Sequence, residues 1–121
     1  MVKQYPVIIT VRDRLSCLEQ LLSWLEGMGQ NEIWLCDNAS TFPPLVKFLE
    51  TTKHNVVYNN FNLGHRAPWL SGLVPKLGNE KYFIISDPDI VPDTNTPSDV
   101  LKLFEYMLQS NPKIDKVGFS L

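Results

Sequence analysis

The amino-acid sequence predicts an α/β fold with a mainly parallel β-sheet and helices on both faces. Short runs of β-branched and aromatic residues alternate along the chain with longer segments in which leucine recurs at helical spacing. The first run, PVIITV, is rich in β-branched residues, which is typical of a strand buried on both faces of a parallel sheet. With 121 residues the chain has room for one domain, so a single domain over residues 1–121 is predicted.

Each predicted strand comes from one short apolar run. These are residues 6–11 (PVIITV), 32–36 (EIWLC), 55–59 (NVVYN), 82–86 (YFIIS) and 116–121 (KVGFSL). The run of residues 82–86 is read as a buried strand. Sheets of this kind grow outward from the first strand and then switch sides, so the order 3-2-1-4 is expected, with a further strand beyond it. The expected architecture is therefore Rossmann-like.

Helices are predicted between the strands. The second helix should be capped by Ser40 or Thr41 and carry prolines in its first turn. A short helix after the third strand should be broken by Gly72 and Pro75. The first helix is predicted from leucines at helical spacing and from two glycines that end it: Leu15, Leu18, Leu21, Leu22, Leu25, Gly27 and Gly29. The apolar face of the last helix is predicted to be Val100, Leu101, Phe104 and Leu108.

Composition excludes some classes of function. The formal net charge is -2, so the field of the whole molecule does not attract nucleic acid. No apolar run approaches the ~18 residues of a membrane span. Cys17 and Cys36 lie in apolar surroundings and no signal peptide is evident, which favours buried, reduced thiols in a cytoplasmic protein.

Polar residues follow the carboxyl end of each of the first four predicted strands. In parallel α/β sheets, ligands bind beyond these ends, so the residues there are the candidates for a functional site. The segments are TVRDR (10–14), DNAS (37–40), NNFNLGHRA (59–67) and DPD (87–89). All four should meet at one rim if the predicted topology is correct.

Asp87 and Asp89 are the candidate metal ligands. An Asp-Pro pair also favours a turn, but a turn needs one carboxylate and two so close together repel each other. A divalent cation removes that repulsion. Oxygen ligands suit Mg²⁺ or Mn²⁺, which usually keep several waters and also bind a substrate's phosphates.

The arginines at the strand ends have two interpretations. Arg12, Arg14 and Arg66 are either ordinary surface charge or a group that holds a diphosphate bidentately. Arg66 is the first choice for that role because a glycine-containing loop precedes it. Asp13 could instead pair with Arg12 or Arg14 and neutralise it.

Two further residues are open to a structural or a functional reading. Asp37 either starts a turn and caps the next helix, or accepts a hydrogen bond from a base N–H or a ribose hydroxyl. Asn38 and Ser40 are assigned to the turn and the cap. His65 is either a ligand contact or an exposed loop residue, and the second is the commoner case.

Four segments in order carry a resemblance to a known family. VIITVRDR, LCDNAS, NNFNLGHRAPW and FIISDPDIVP, within Pro6 to Asp93, resemble the nucleotide-sugar-binding half of GT-A-fold glycosyltransferases, closest to the large family 2. The DPD segment is similar to that fold's Asp-any-Asp motif. The resemblance implies a nucleoside-diphosphate-sugar donor, most often a UDP-sugar, with Mn²⁺ or Mg²⁺ as cofactor, and transfer of the sugar to an acceptor that it leaves unspecified.

The resemblance also implies roles for individual positions. Asp89 would be the more usual direct metal ligand, with Asp87 making a ribose or water-mediated contact. Asp37 would contact the base. The remaining matched positions are Thr10, Val11 and Arg12 beside the nucleoside, and Asn62, Gly64, His65 and Arg66 near the ribose and phosphates.

The chain departs from the family after the metal motif. Family members carry a second half there, which binds the acceptor and in inverting enzymes supplies a general base. Only 32 residues follow Asp89, and no convincing base is found among them. We therefore expect a donor-binding domain that lacks most of the acceptor half. The alternatives are a non-catalytic nucleotide- and metal-binding module, and a fragment completed by another chain.

The sequence also bears on association and on a second fold class. An exposed fifth strand or apolar face could support a homodimer.

A receiver-like signalling domain has a similar length and a similar alternation of strands and helices, but it gathers acidic residues at the ends of strands one and three. Here the third strand ends in asparagines, which counts against that class.

Overall fold

A computed structural model describes residues 3–77 and 82–119 and contains a four-stranded parallel sheet in the order β3-β2-β1-β4. Its strands are β1 (Val7–Val11), β2 (Ile33–Asn38), β3 (Asn55–Asn59) and β4 (Ile84–Ser86). The predicted order is confirmed, and the protein is an α/β protein with a Rossmann-like fold. Receiver-like folds have the order 2-1-3-4-5, so the topology argues against that alternative.

Helices cover both faces of the sheet, as predicted. The helices are α1 (Ser16–Gly27), α2 (Pro43–Thr51), α3 (Ala67–Leu70), α4 (Leu73–Leu77) and α5 (Val100–Ser110), and a 3₁₀ turn spans Gly64–Arg66. Leucines of α1 and α2 pack on one face with Val7, Ile9 and Val11 of β1. Ala67, Leu73 and Leu77 from α3 and α4 pack on the other face with Ile8. Strand β1 is therefore buried on both sides, and its apolar run is explained.

Most helix boundaries follow the predicted signals. Helix α1 ends at Gly27, and Gly29 has a φ of 83°, a left-handed conformation that favours glycine. Pro43 and Pro44 begin α2, where their missing N–H groups are not needed. Gly72 separates α3 from α4 with a φ of 88°.

Two helix predictions are wrong. Pro75 does not break a helix, because it lies in the first turn of α4, where an amide N–H has no intrahelical partner. Neither Ser40 nor Thr41 caps α2. The residue that precedes α2 is Phe42, and its side chain makes no capping hydrogen bond.

Strand β4 is shorter and more exposed than predicted. It begins at Ile84, and the side chains of Phe83 and Ile85 are 37% and 39% exposed. The reason is its position: β4 is the outer strand of the sheet in the described residues, and Ile84 alone of its residues packs against the core under α1. The expected homodimer through an exposed edge or apolar face stays a prediction.

The predicted fifth strand is not formed in the described residues. Residues 116–119 belong to neither a helix nor a strand, and residues 120 and 121 lie outside the described part of the chain. Phe119 packs edge-on against Trp24 and Phe104, with ring centroids 6.2 Å and 5.3 Å apart. These aromatic contacts pack Phe119 against α1 and α5, and none of residues 116–119 pairs with a strand.

A cavity of about 720 Å³ lies between β4, α1 and α5. Its walls include Trp24, Ile84, Phe104 and Phe119, and Asp87 lies on its lining. The predicted apolar face of α5 borders this cavity, so α5 covers the sheet without filling the space beneath it.

Both cysteines are free, as predicted. Cys36 is buried in β2, and Cys17 is partly buried on α1. The cytoplasmic location stays a prediction. Among the described helices, none is both long enough and apolar enough to cross a membrane.

Candidate functional site at the carboxyl ends of the strands

The carboxyl ends of all four strands meet at one edge of the sheet. Because the strands are parallel, the segments that follow them leave from the same side. The register places Val11 of β1 opposite Asp37 of β2, and Ile9 opposite Ser86 of β4. We call this surface the rim and define it as residues 10–14, 37–40, 59–66 and 86–89.

The loops after β1 and β2 are tied together at the rim. The Arg12 guanidinium donates a hydrogen bond from Nη1 to the Asn38 carbonyl oxygen at 2.6 Å. The backbone N–H of Asp13 donates to Ser40 Oγ at 2.9 Å. Ser40 therefore holds the neighbouring loop instead of capping α2.

The Asp13 carboxylate binds the backbone that leads into α2. Its Oδ1 accepts the backbone N–H groups of Thr41 at 2.6 Å and Phe42 at 2.8 Å. The amides of Phe42 and Thr41 lower the pKa of the Asp13 carboxyl from its ordinary value of 3.8. Asp13 makes no ion pair with Arg12 or Arg14 in the described residues, and the attraction of Arg12 is the smallest contribution to that lowering.

Replacing Asp13 by alanine should lower the melting temperature at neutral pH by a few degrees, because two backbone N–H groups lose their acceptor. Asp13→Asn is the matched control, since its amide oxygen can still accept both bonds. The stabilisation by Asp13 is present above pH 3.8 and is lost as the pH falls through its lower folded-state pKa. The difference between the wild-type and alanine proteins should therefore narrow in acid. Equal melting temperatures at neutral pH would contradict a stabilising role for these two hydrogen bonds.

Asn38 is a structural centre of the rim that the sequence reading assigned only to a turn. Its side chain is nearly fully buried, donates from Nδ2 to the Gly64 carbonyl oxygen at 3.2 Å, and accepts at Oδ1 from Asn59 Nδ2 at 3.1 Å. Asn62 Oδ1 in turn accepts the Gly64 N–H at 2.9 Å, and Gly64 has a φ of 67°. The signal for this network is the pair of asparagines that end neighbouring strands.

The candidate nucleoside-binding residues differ in what they can offer a ligand. Asp37 is only 4% exposed, and its Oδ1 accepts the Ser40 N–H at 3.3 Å, as expected for a residue that starts the turn. The side chain of Val11 is fully buried, so only its backbone could contact a ligand. Thr10 is partly buried, and Arg12 is exposed beside it.

Asp87 and Asp89 follow β4 on the same rim. Both residues are exposed, and Arg14 Nη1 lies 3.8 Å from Asp89 Oδ2. The structure thus places Arg14, and not the first-choice Arg66, beside the paired carboxylates. His65 and Arg66 are exposed in the 3₁₀ turn, and no ion pair joins Arg66 to another described residue.

The donor set at the end of β4 fits a hard divalent cation. No group of three or more His, Cys, Asp or Glu residues gathers at a possible metal site in residues 3–77 and 82–119, so a site made of protein ligands alone is not supported there. Mg²⁺ and Mn²⁺ are usually bound by one or two carboxylates together with waters and substrate phosphates. Asp87 and Asp89 provide that number, and the nearby Arg14 shows that a positive charge is accommodated at Asp89.

The fold and the rim define a class: a Rossmann-like α/β protein with buried Asp37 and exposed Asp87 and Asp89 at the carboxyl ends of its strands. Comparisons with protein-family models, with curated proteins and with solved structures give no match to this chain. The site must therefore be judged from its own residues.

Proposed function

We propose that this chain is a metal-dependent glycosyltransferase, or the donor-binding domain of one, that binds a nucleoside-diphosphate-sugar. A UDP-sugar is the favoured donor, and the sugar would pass to an acceptor that is not specified. The observation that carries the proposal is the position of Asp87 and Asp89, with Arg14, on the same rim as the buried Asp37. Nucleotides bind at this edge of open parallel sheets.

The nucleoside would lie over the ends of β1 and β2. Asp37 is buried and its carboxylate accepts one backbone N–H, and a carboxylate oxygen has lone pairs for a further donor from a base or ribose. Thr10 and the backbone of Val11 border this position at the end of β1, and Arg12 follows directly after the strand. Gly64 and the 3₁₀ turn with His65 and Arg66 are fixed to β2 through Asn38, which supports a role near the ribose and phosphates.

The diphosphate would lie toward the end of β4. Asp89 and Asp87 would hold Mn²⁺ or Mg²⁺ there. When bound, such an ion stabilises negative charge on the diphosphate of a departing nucleotide. The exposed side chain of Arg14 is close enough to Asp89 to share a ligand bound at that carboxylate.

The second candidate is a module that binds nucleotide and metal without transferring a sugar. What favours it is the state of the acidic residues after Asp89. Glu105 is paired with Lys3, and Asp93 accepts the backbone N–H of Asn95 at 2.9 Å. In the described residues, neither makes a hydrogen bond or an ion pair with a residue of the rim.

Titration calorimetry with UDP, with and without Mn²⁺, tests the proposal. The expected result is binding of UDP that requires the metal, followed by hydrolysis or transfer when a UDP-sugar is supplied. Metal-dependent binding without turnover of any UDP-sugar would favour the binding module. If UDP fails to bind in saturating Mn²⁺, both candidates are rejected.

A further inference from the structure

Arg14 and Asp89 form an ion pair at the place where the proposed function, on which this inference rests, needs a cation. Arg14 Nη1 is 3.8 Å from Asp89 Oδ2, and the two side chains are 70% and 50% exposed. Such an exposed pair is weak and rearranges readily. The second carboxylate, Asp87, is two residues away, so the local charge of the three groups is negative even with Arg14 in place.

We propose that Arg14 is a counter-ion that is exchanged during binding: it neutralises Asp89 in the free protein and moves to the diphosphate when a divalent cation takes that carboxylate. A cation and a guanidinium cannot both sit close to the same carboxylate oxygen without repelling each other. A diphosphate bound to the cation offers Arg14 new oxygens, and a planar guanidinium matches phosphate oxygens bidentately.

The exchange predicts a coupling between the two ligands. The cation alone must displace Arg14, so it binds more weakly than the two carboxylates would otherwise allow. The nucleotide gives the displaced arginine a partner, so it strengthens binding of the cation and the cation strengthens binding of the nucleotide. Arg14 would then be the residue that makes the site respond to metal and nucleotide together.

The variant Arg14→Gln tests the exchange in two titrations. Its affinity for Mn²⁺ is expected to rise, and its affinity for UDP is expected to fall. A titration with Mn²⁺ alone can be monitored by calorimetry or by the paramagnetic signal of free Mn²⁺. The variant should bind Mn²⁺ about two- to fivefold more tightly than the wild-type protein, because a weak competing ion pair is removed. Titration of UDP in saturating Mn²⁺ should show binding about tenfold weaker or more, because a charge-assisted contact to the diphosphate is lost.

Lys102→Gln is the matched control. It changes the net charge by the same amount, and Lys102 is exposed on α5. A general effect of charge would alter metal binding equally in the two variants. If Arg14→Gln damaged the fold, the variant would bind both Mn²⁺ and UDP more weakly. A lower melting temperature of the variant would reveal such damage.

The outcomes separate the inference from the proposed function. If the wild-type protein binds UDP with Mn²⁺ and Arg14→Gln behaves like Lys102→Gln in both titrations, the exchange is rejected and the proposed function stands. The exchange is also rejected if both ligands bind the variant more weakly. If the wild-type protein binds no UDP in Mn²⁺, the proposed function fails and the inference fails with it.

Discussion

Replacing Asp87 and Asp89 together by asparagine is expected to abolish the manganese-dependent binding of UDP. Asparagine keeps the size of each side chain but removes the two negative charges that would attract the cation. Loss of residues that merely orient metal ligands already costs about 10–100-fold in metal affinity, so loss of both proposed ligands should cost at least that much. Calorimetry of the variant with Mn²⁺, and then with Mn²⁺ and UDP, measures the effect.

The control for this variant is Asp99→Asn combined with Glu50→Gln. These exposed acidic residues lie just before α5 and on α2, and neither lines the cavity that Asp87 borders, so the pair makes the same change in net charge away from the end of β4. We expect the control to bind Mn²⁺ and UDP as the wild-type protein does. The fold should survive in both variants, because Asp87 and Asp89 are exposed and lie beyond the last residue of β4. Wild-type UDP affinity in the Asp87/Asp89 variant would remove the basis of the proposed site.

The central part of the fold could be predicted because its signals are local. The run from Val7 to Val11 is apolar on both faces, and the leucines of α1 repeat at helical spacing, so each element is specified by its own residues. The strand order then follows from the rules for right-handed connections. That order brings the ends of four strands to one rim, which is why the sequence alone makes Asp37, Asp87 and Asp89 candidates for a site.

The contacts across the rim could not be predicted, because they join residues far apart in the sequence. Sequence rules look for the partners of the residues just before α2 among their neighbours, whereas Asp13 accepts the N–H groups of Thr41 and Phe42 from the loop after β1. Asp13 does so with a φ of 54°, a left-handed conformation that no local signal marked. For the same reason the ion pair between Arg14 and Asp89 was not anticipated, and the choice of Arg66 to hold a diphosphate stays a prediction. Loop composition favoured Arg66, but the pairing of β1 with β4 brings Arg14 to Asp89.

The prediction of a fifth strand was wrong for a different reason. Residues 116–119 have a strand-like composition, but pairing with a neighbour depends on what the rest of the chain offers them. Phe119 packs against the rings of Trp24 and Phe104, and its segment pairs with no strand. Strand propensity describes how well a residue fits a partly buried pleated surface, so it does not specify a strand where another apolar surface is available.

Asn38→Ala is expected to have the largest effect on stability among the rim substitutions. The Asn38 side chain is 2% exposed and makes two hydrogen bonds, one to the Gly64 carbonyl and one from Asn59. With alanine at position 38, the Gly64 carbonyl loses a donor and the Asn59 amide loses an acceptor. This loss should lower the free energy of unfolding by about 1–3 kcal/mol. The bond from Arg12 goes to the backbone oxygen of residue 38 and should persist. Urea unfolding measures the change through the midpoint at constant slope.

Asn95→Ala makes the same chemical change at an exposed position whose side chain makes no described hydrogen bond, and it should alter the free energy of unfolding by less than about 0.5 kcal/mol. The second readout for Asn38→Ala is UDP affinity in Mn²⁺, under conditions where the variant is fully folded. Because Asn38 fixes Gly64 and therefore the 3₁₀ turn that carries His65 and Arg66, that affinity should fall as well. A loss of stability with unchanged UDP affinity would mean that the loop after β3 does not contact the nucleotide. The donor would then be held by the ends of β1, β2 and β4 alone.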